Sequence, residues 1–98
     1  MNWAEHVQTL ANGKDVQCRP KGNSMIGLIE SGQLITISPA KASDLQAGDI
    51  AFCRVNGNYY VHLVKAVGQD GRLQIGNNHG HVNGWTKAVY GKVTKVEK

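Results

Sequence analysis

Residues 2–13, "NWAEHVQTLANG", carry apolar side chains at the spacing of a helix. Trp3, Val7 and Leu10 fall at positions i, i+4 and i+7, so they form one stripe on a helical surface. Asn2 is the predicted N-cap, Glu5 its capping-box partner and Gly13 the terminator. The stripe either packs on the core of its own chain or is exposed and forms a homodimer through Trp3, Val7 and Leu10.

From Val16 onward the pattern changes to short runs rich in β-branched residues, separated by turns. "QLITISP" and "DIAFCRV" are two such runs, with the polar, turn-like "AKASDLQAG" between them. The dipeptide Asn56-Gly57 between "DIAFCRV" and "NYYVHLVKAV" predicts a two-residue β-hairpin. In that register three pairs face each other: Val55 and Asn58, Cys53 and Tyr60, Ala51 and His62.

The last third of the chain contains a turn, "GQDGR", and two further strands, "LQIG" and "KAVYGKVTKV". The stretch "NNHGHVNGW" between them is predicted to be a rigid loop at the rim of the site, with Trp85 anchored in the core. The predicted fold is mainly β: a small antiparallel β-barrel or rolled sheet with one short N-terminal α-helix. We expect a single domain, in which residues 1–14 form the helix and residues 15–98 the β domain.

Composition and charge narrow the function. A chain of 98 residues is long enough for one modest core, and its net charge of +4 is spread along the chain instead of forming one basic run. Direct nucleic-acid binding is therefore disfavoured. Cys18 and Cys53 form no CxxC pair, and no apolar run has the length of a signal peptide or a membrane anchor. These features favour a soluble, cytoplasmic protein.

Five blocks occur in a fixed order: "GNSM", "IESGQLITI", "LQAGDIAFCRV", "YYVHLVKAV" and "QIGNN…VYGKV". In this order they resemble the serine peptidases of the signal peptidase I and LexA-like clan, over about residues 20 to 94. The resemblance implies that Ser24 is the nucleophile. It also places His62 where bacterial members carry a lysine base and where the endoplasmic-reticulum type carries histidine. Neutral imidazole can accept a hydroxyl proton near neutral pH, so a Ser24–His62 dyad is chemically workable.

The chain departs from the family pattern at three places. Gly27 stands where members usually have proline, and Gly22 where many have a serine that helps to bind the oxyanion. Oxyanion support is therefore expected from the backbone around the nucleophile, at Asn23, Ser24 and Met25. No carboxylate lies between Asp70 and Glu97 to orient the histidine. The candidates for that role are Asn77, Asn78 and Asn83, whose amides can accept the ring N–H but cannot neutralise its charge.

Two alternative sites have less support in the sequence. Lys65 is a possible base, but on a strand it points to the face opposite His62. A zinc site would draw on His62, His79, His81 and Cys53, but "HGH" in a glycine-rich loop lacks a standard ligand spacing. We therefore expect neither a metal nor a cofactor.

The resemblance implies a serine endopeptidase, slow or self-acting, whose substrate is an extended polypeptide added along a sheet edge. LexA-like repressors join this domain to a DNA-binding domain and signal peptidases join it to membrane anchors, and from the sequence we expect neither of these here. Stand-alone copies of the pattern are similar to short peptidase-like proteins of phage origin. The alternative is a catalytically inactive module of the same fold that binds a peptide or a repressor. A third possibility is nucleic-acid binding through the basic surface.

Overall fold

The computed structural model describes residues 2–97. One α-helix, α1, is followed by seven β-strands, and a short 3₁₀ helix at Ala42–Asp44 lies between the second and third strands. The elements are α1 Trp3–Ala11, β1 Val16–Cys18, β2 Ile35–Pro39, β3 Ile50–Val55, β4 Asn58–Val67, β5 Leu73–Gly76, β6 Val82–Thr86 and β7 Val89–Val96. No helix among these residues is long and apolar enough to cross a bilayer.

The ends of α1 follow the sequence closely. Asn2 Oδ1 accepts the backbone N–H groups of Ala4 and Glu5 at 3.1 and 3.3 Å, which satisfies two of the free donors of the first turn. Glu5 contributes its backbone here; within residues 2–97 its side chain makes no return bond to Asn2, so the predicted capping box is incomplete. Gly13, which has φ +81°, follows the end of the helix, and its N–H donates to the Leu10 carbonyl at 2.9 Å.

The apolar stripe of α1 packs on the core of its own chain. Leu10 is 3% exposed, and Trp3 and Val7 are partly buried against the same cluster. This is the first of the two interpretations of the stripe. A homodimer through the same face stays a prediction.

The seven strands form one antiparallel sheet in the order β1-β2-β7-β3-β4-β5-β6. The β3–β4 hairpin has the register that the Asn-Gly turn predicts, with Val55 opposite Asn58 and Ala51 opposite His62. Asn56 and Gly57 adopt φ values of +50° and +84°, as a type I′ turn requires. The predicted hairpin is therefore confirmed residue by residue.

The stretch predicted as a loop between the last two strands contains a strand of its own. β6 pairs with β5 from Thr86 opposite Leu73 to Val82 opposite Gly76. Its asparagine and glycine have low strand propensity, so its sequence resembles a loop although the neighbouring strand holds it in the sheet. The expected core anchor was wrong as well, because Trp85 is 43% exposed.

The sheet rolls so that its β6 end returns toward β3. Thr86 Oγ1 donates to the Arg54 carbonyl at 2.7 Å, and the Arg54 N–H donates to the Ala88 carbonyl at 2.9 Å. Residues that alternate along β3 consequently enter two cores: Phe52 packs under α1, whereas Cys53 packs inside the roll. The mainly β, rolled-sheet fold with one N-terminal helix is confirmed.

Both cysteines are free and buried in these cores. Burial raises the pKa of the Cys53 thiol to about 12, and it also raises the pKa of Cys18. A thiol that stays protonated and inaccessible is a poor nucleophile and a poor metal ligand. The chemistry of the fold therefore has to come from other side chains.

Candidate active site

Ser24 lies in a short helical turn between β1 and β2. The Ile29 N–H donates to the Met25 carbonyl at 2.7 Å, and both side chains point into the core, at 4% and 5% exposure. Two buried anchors one turn apart fix the backbone and leave the intervening Ile26 and Leu28 facing outward, at 40% and 43% exposure. Ser24, directly before the first anchor, is half-buried and available to a neighbouring side chain.

His62 on β4 contacts this serine. Its Nε2 lies 3.1 Å from Ser24 Oγ, and its Nδ1 lies 2.7 Å from Asn83 Oδ1. A carbonyl-type oxygen only accepts, so Nδ1 carries the proton and donates it to Asn83. Nε2 is then the acceptor of the Ser24 hydroxyl proton, which is the tautomer that a general base needs. The side chain is 9% exposed, and the ring of Tyr60 packs on it with centroids 4.8 Å apart.

The roll of the sheet brings Asn83 to the histidine. Asn83 lies on β6, which is separated from β4 by β5 in the hydrogen-bonded order. The β5–β6 pairing shifts register between Ile75 and Gly76, and Gly84 beside Asn83 has φ +144°. These irregularities accompany the curvature that places the Asn83 amide on the imidazole.

The other two candidate asparagines make different contacts. Asn77 Oδ1 accepts the backbone N–H groups of His79 and His81, so it caps its own loop. Asn78 donates from Nδ2 to the Ile26 carbonyl at 2.9 Å and therefore contacts the nucleophile turn. Of the three asparagines proposed to orient His62, the structure places Asn83 against the ring.

The environment of His62 favours its neutral form. Burial lowers its pKa below the usual range, and a positive charge on His81 acts in the same direction, whereas the hydrogen bond to Asn83 acts against them. A neutral imidazole beside a hydroxyl can accept the hydroxyl proton, whereas a protonated imidazole cannot.

Lys65 and His79, the residues of the two alternative sites, make other contacts. Lys65 is the extra residue at the register shift of the β4–β5 pairing, and its Cε lies over Gly76. His79 Nε2 contacts the Asn23 carbonyl oxygen at 3.0 Å. Within residues 2–97 no three His, Cys, Asp or Glu side chains cluster closely enough to hold a metal ion.

The backbone near Ser24 offers unpaired donors. Within the described part of the chain, the N–H groups of Ser24 and Met25 donate to no other residue, whereas the Gly22 N–H is bound by Ser31 Oγ at 3.1 Å. Unpaired N–H groups beside a nucleophile are the donors from which an oxyanion hole is built. Backbone support is predicted at Asn23, Ser24 and Met25. Of these, the N–H groups of Ser24 and Met25 belong to the two peptide bonds on either side of the residue that carries the hydroxyl.

A cleft of about 220 Å³ opens beside the serine, lined among others by Trp3, Ser24, Tyr59 and His62. One wall is the start of β4. The two-residue turn makes Val55 and Asn58 a hydrogen-bonded pair, so the backbone groups of Tyr59 point away from β3. The backbone groups of Val61, two residues further along β4, also point away from β3. On that side β5 pairs with β4 only from Leu63 onward. Within residues 2–97 this stretch of β4 is an unpaired edge facing the cleft.

A family model described as "Peptidase S24-like" matches residues 2–91, which is most of the chain. The chain belongs to this family. Its resemblance to the LexA-like and signal peptidase-like serine peptidases is thereby confirmed, and S24-like proteins are generally serine peptidases. No curated protein and no solved structure matches the chain significantly.

The structure gives a physical reason for one departure of this S24-like chain from the pattern. Gly27, where proline is usual, has φ +100°, a value that the proline ring cannot adopt. A Cβ at this position would lie 2.9 Å from Asn78 Nδ2. Glycine therefore leaves room for the Asn78 side chain to reach the turn.

Sequence reasoning missed three contributors to the S24-like site. Tyr60 packs on the His62 ring, Trp3 lines the cleft, and His79 binds the nucleophile turn. The same-face position of Tyr60 and His62, two residues apart on a strand, was the one available signal. The contacts of Trp3 and His79 join residues far apart in the chain and depend on how the sheet rolls.

Proposed function

We propose that this protein is a serine endopeptidase that acts through a Ser24–His62 dyad oriented by Asn83. The observation that supports it is the relay from Ser24 Oγ through both nitrogens of His62 to Asn83 Oδ1, with separations of 3.1 and 2.7 Å. The two free, buried thiols support placing this activity in a reducing, cytoplasmic compartment.

The residues divide the chemistry as follows. His62 Nε2 accepts the hydroxyl proton while Ser24 Oγ attacks the scissile carbonyl, and the N–H groups of Ser24 and Met25 bind the oxyanion that forms. His62 then gives the proton to the leaving amine, which departs as the C–N bond breaks and an ester on Ser24 remains. Water, deprotonated by the same nitrogen, hydrolyses that ester and restores the hydroxyl.

Asn83 limits the rate of this chemistry. Its amide oxygen holds the Nδ1–H and thereby selects the productive tautomer, which is a role asparagine fills in Cys-His-Asn peptidases. It carries no negative charge, so it stabilises the imidazolium less than a carboxylate would. A slow or self-acting peptidase is consistent with an asparagine in this position.

The substrate we propose is an extended polypeptide paired with the unpaired edge of β4. Tyr59 and Val61 present backbone donors and acceptors along the cleft, as an added strand requires. A strand in this position runs directly past Ser24 and His62. Backbone pairing would supply the affinity, and the small cleft would select a compact side chain.

Labelling with a fluorophosphonate probe, read by intact mass and peptide mapping, tests the proposal. We expect a single adduct on Ser24 of the wild-type protein and none on Ser24→Ala. Ser43→Ala is the matched control, because Ser43 is exposed in the 3₁₀ helix, and it should label like the wild type. Absence of an adduct from folded wild-type protein would contradict the peptidase.

A catalytically inactive module that binds a peptide or a repressor is the second candidate, and the uncharged Asn83 is the observation that favours it. Such a module needs the unpaired edge of β4 and the cleft to bind its partner, but it does not need the relay from Ser24 to Asn83. Comparing peptide binding with fluorophosphonate labelling distinguishes the two functions. Wild-type protein that binds an extended peptide without labelling, with Ser24→Ala binding equally well, would indicate the inactive module.

The pH dependence of labelling follows from the lowered pKa of His62. Protonated His62 cannot accept the serine proton, so the rate falls as pH falls through this pKa. We expect the midpoint below the usual histidine value of about 6.5. In Asn83→Asp a carboxylate next to Nδ1 favours imidazolium, which should move the midpoint upward. Second-order labelling rates measured from acid to neutral pH check both, and a midpoint above the usual value in wild type would contradict the first.

A further inference from the structure

The loop between β5 and β6 binds the nucleophile turn at three backbone carbonyls. The Asn78 N–H donates to the Ser24 carbonyl at 2.9 Å, and Asn78 Nδ2 donates to the Ile26 carbonyl at 2.9 Å. His79 Nε2 lies 3.0 Å from the Asn23 carbonyl oxygen. Because a carbonyl can only accept, this ring nitrogen carries a proton and donates it.

These bonds fix the direction of the oxyanion donors. In a trans peptide the carbonyl of one residue and the N–H of the next point in opposite directions within one plane. The Asn23 carbonyl accepts from His79 Nε2 at 3.0 Å and from the Ile26 N–H at 3.3 Å, and it sets the direction of the Ser24 N–H. The Ser24 carbonyl, held by Asn78, likewise sets the direction of the Met25 N–H. Both N–H groups are turned away from the loop and donate to no other described residue.

The geometry of the turn is adapted to this contact. Gly27 has φ +100°, and a Cβ there would lie 2.9 Å from Asn78 Nδ2. The same β5–β6 hairpin carries Asn83, which holds the histidine. One hairpin thus contacts both the nucleophile turn and the base.

We infer that Asn78 and His79 are positioning residues that orient the Ser24 and Met25 N–H groups for oxyanion binding. This inference rests on the proposed peptidase function. The two residues act through the peptide planes on either side of Ser24 and contact no reacting atom. Loss of the His79 donor leaves the Asn23 carbonyl with the Ile26 N–H alone, at 3.3 Å, so the peptide plane that carries the Ser24 N–H can rotate more freely. Loss of the Asn78 side-chain bond to the Ile26 carbonyl loosens the loop, and with it the bond from the Asn78 backbone N–H to the Ser24 carbonyl that directs the Met25 N–H.

The test compares fluorophosphonate labelling rates of variants that remove or retain the donors. Asn78→Ala loses the Nδ2 donor without adding a charge, and His79→Phe loses the ring donor. His79→Gln retains a donor and should recover most of the rate. Asn12→Ala, at an exposed position after α1, is the matched control for loss of an asparagine side chain. We expect the two donor-deficient variants to label about 10- to 100-fold more slowly.

Two further measurements separate positioning from a structural role. The midpoint of the pH profile should stay at the wild-type value in both variants, because His62 and Asn83 are unchanged. Urea unfolding gives the folded fraction by which each labelling rate is corrected.

Variants that label at the wild-type rate after this correction would overturn the inference and leave the peptidase function intact. A wild-type protein without an adduct would instead overturn the peptidase function, and the inference with it.

Discussion

Replacement of His62 by alanine is expected to slow acylation of Ser24 by about 10²- to 10⁴-fold, which is the usual contribution of a general base. The hydroxyl would lose the acceptor that now lies 3.1 Å away. The second-order labelling rate with a fluorophosphonate measures the loss, at about pH 8, where an ordinary histidine is neutral. Added imidazole should restore part of the rate by occupying the space that the ring leaves.

His81→Ala is the matched control for this experiment. His81 is exposed and belongs to the same loop region, and its side chain lies outside the relay of Ser24, His62 and Asn83. The control should therefore label at the wild-type rate. An unchanged rate in His62→Ala, with the protein folded, would show that another group accepts the proton.

Replacement of Phe52 by alanine should destabilise the protein by about 3–5 kcal/mol, the usual cost of removing a buried phenylalanine ring. Phe52 is fully buried, and its ring contacts the rings of Trp3, Tyr59 and Tyr90 at centroid distances of 5.1, 6.0 and 5.5 Å. It joins α1 to the first part of β4. Total stabilities of domains are about 5–15 kcal/mol, so this one change would remove much of the margin.

Urea unfolding followed by far-ultraviolet circular dichroism measures the effect as a lower midpoint at an unchanged slope. Val67→Ala on the same sheet is the control, since Val67 is 51% exposed and its truncation should cost within about 0.5 kcal/mol. A loss of less than about 1 kcal/mol in Phe52→Ala would mean that the aromatic cluster closes over the space. Trp3 and Tyr59 also line the cleft, so loss of the Phe52 ring should change the shape of the cleft as well as the stability of the protein.

Local signals in the sequence were sufficient for the elements that depend on neighbours in the chain. The Asn-Gly turn alone set the register of β3 against β4 and so placed Ala51 opposite His62. Asn2 and Gly13 set the ends of α1. The positions of Ser24 and His62 came from the family resemblance, and the structure brings their side chains within hydrogen-bonding distance.

Features that depend on the roll of the sheet were beyond such signals. Three asparagines qualified equally to orient the histidine, and the register shift near Gly76 decides which one reaches it. The sequence of β6 predicts a loop, because pairing with β5, and not its own propensity, makes this segment a strand. The size of the Trp85 side chain favours a place in the core, yet the alternation of β6 turns it toward solvent.

The β5–β6 hairpin restricts how this protein can change in evolution. Surface loops normally tolerate insertions and deletions, because their ends stay in place while the tip varies. Here the segment from Asn77 to His81 sets both the position of Asn78 on the nucleophile turn and the register that directs Asn83 toward His62. A slip of one residue would turn Asn83 to the opposite face of the sheet. Relatives that keep this chemistry should therefore preserve the length of this segment even where its residues differ.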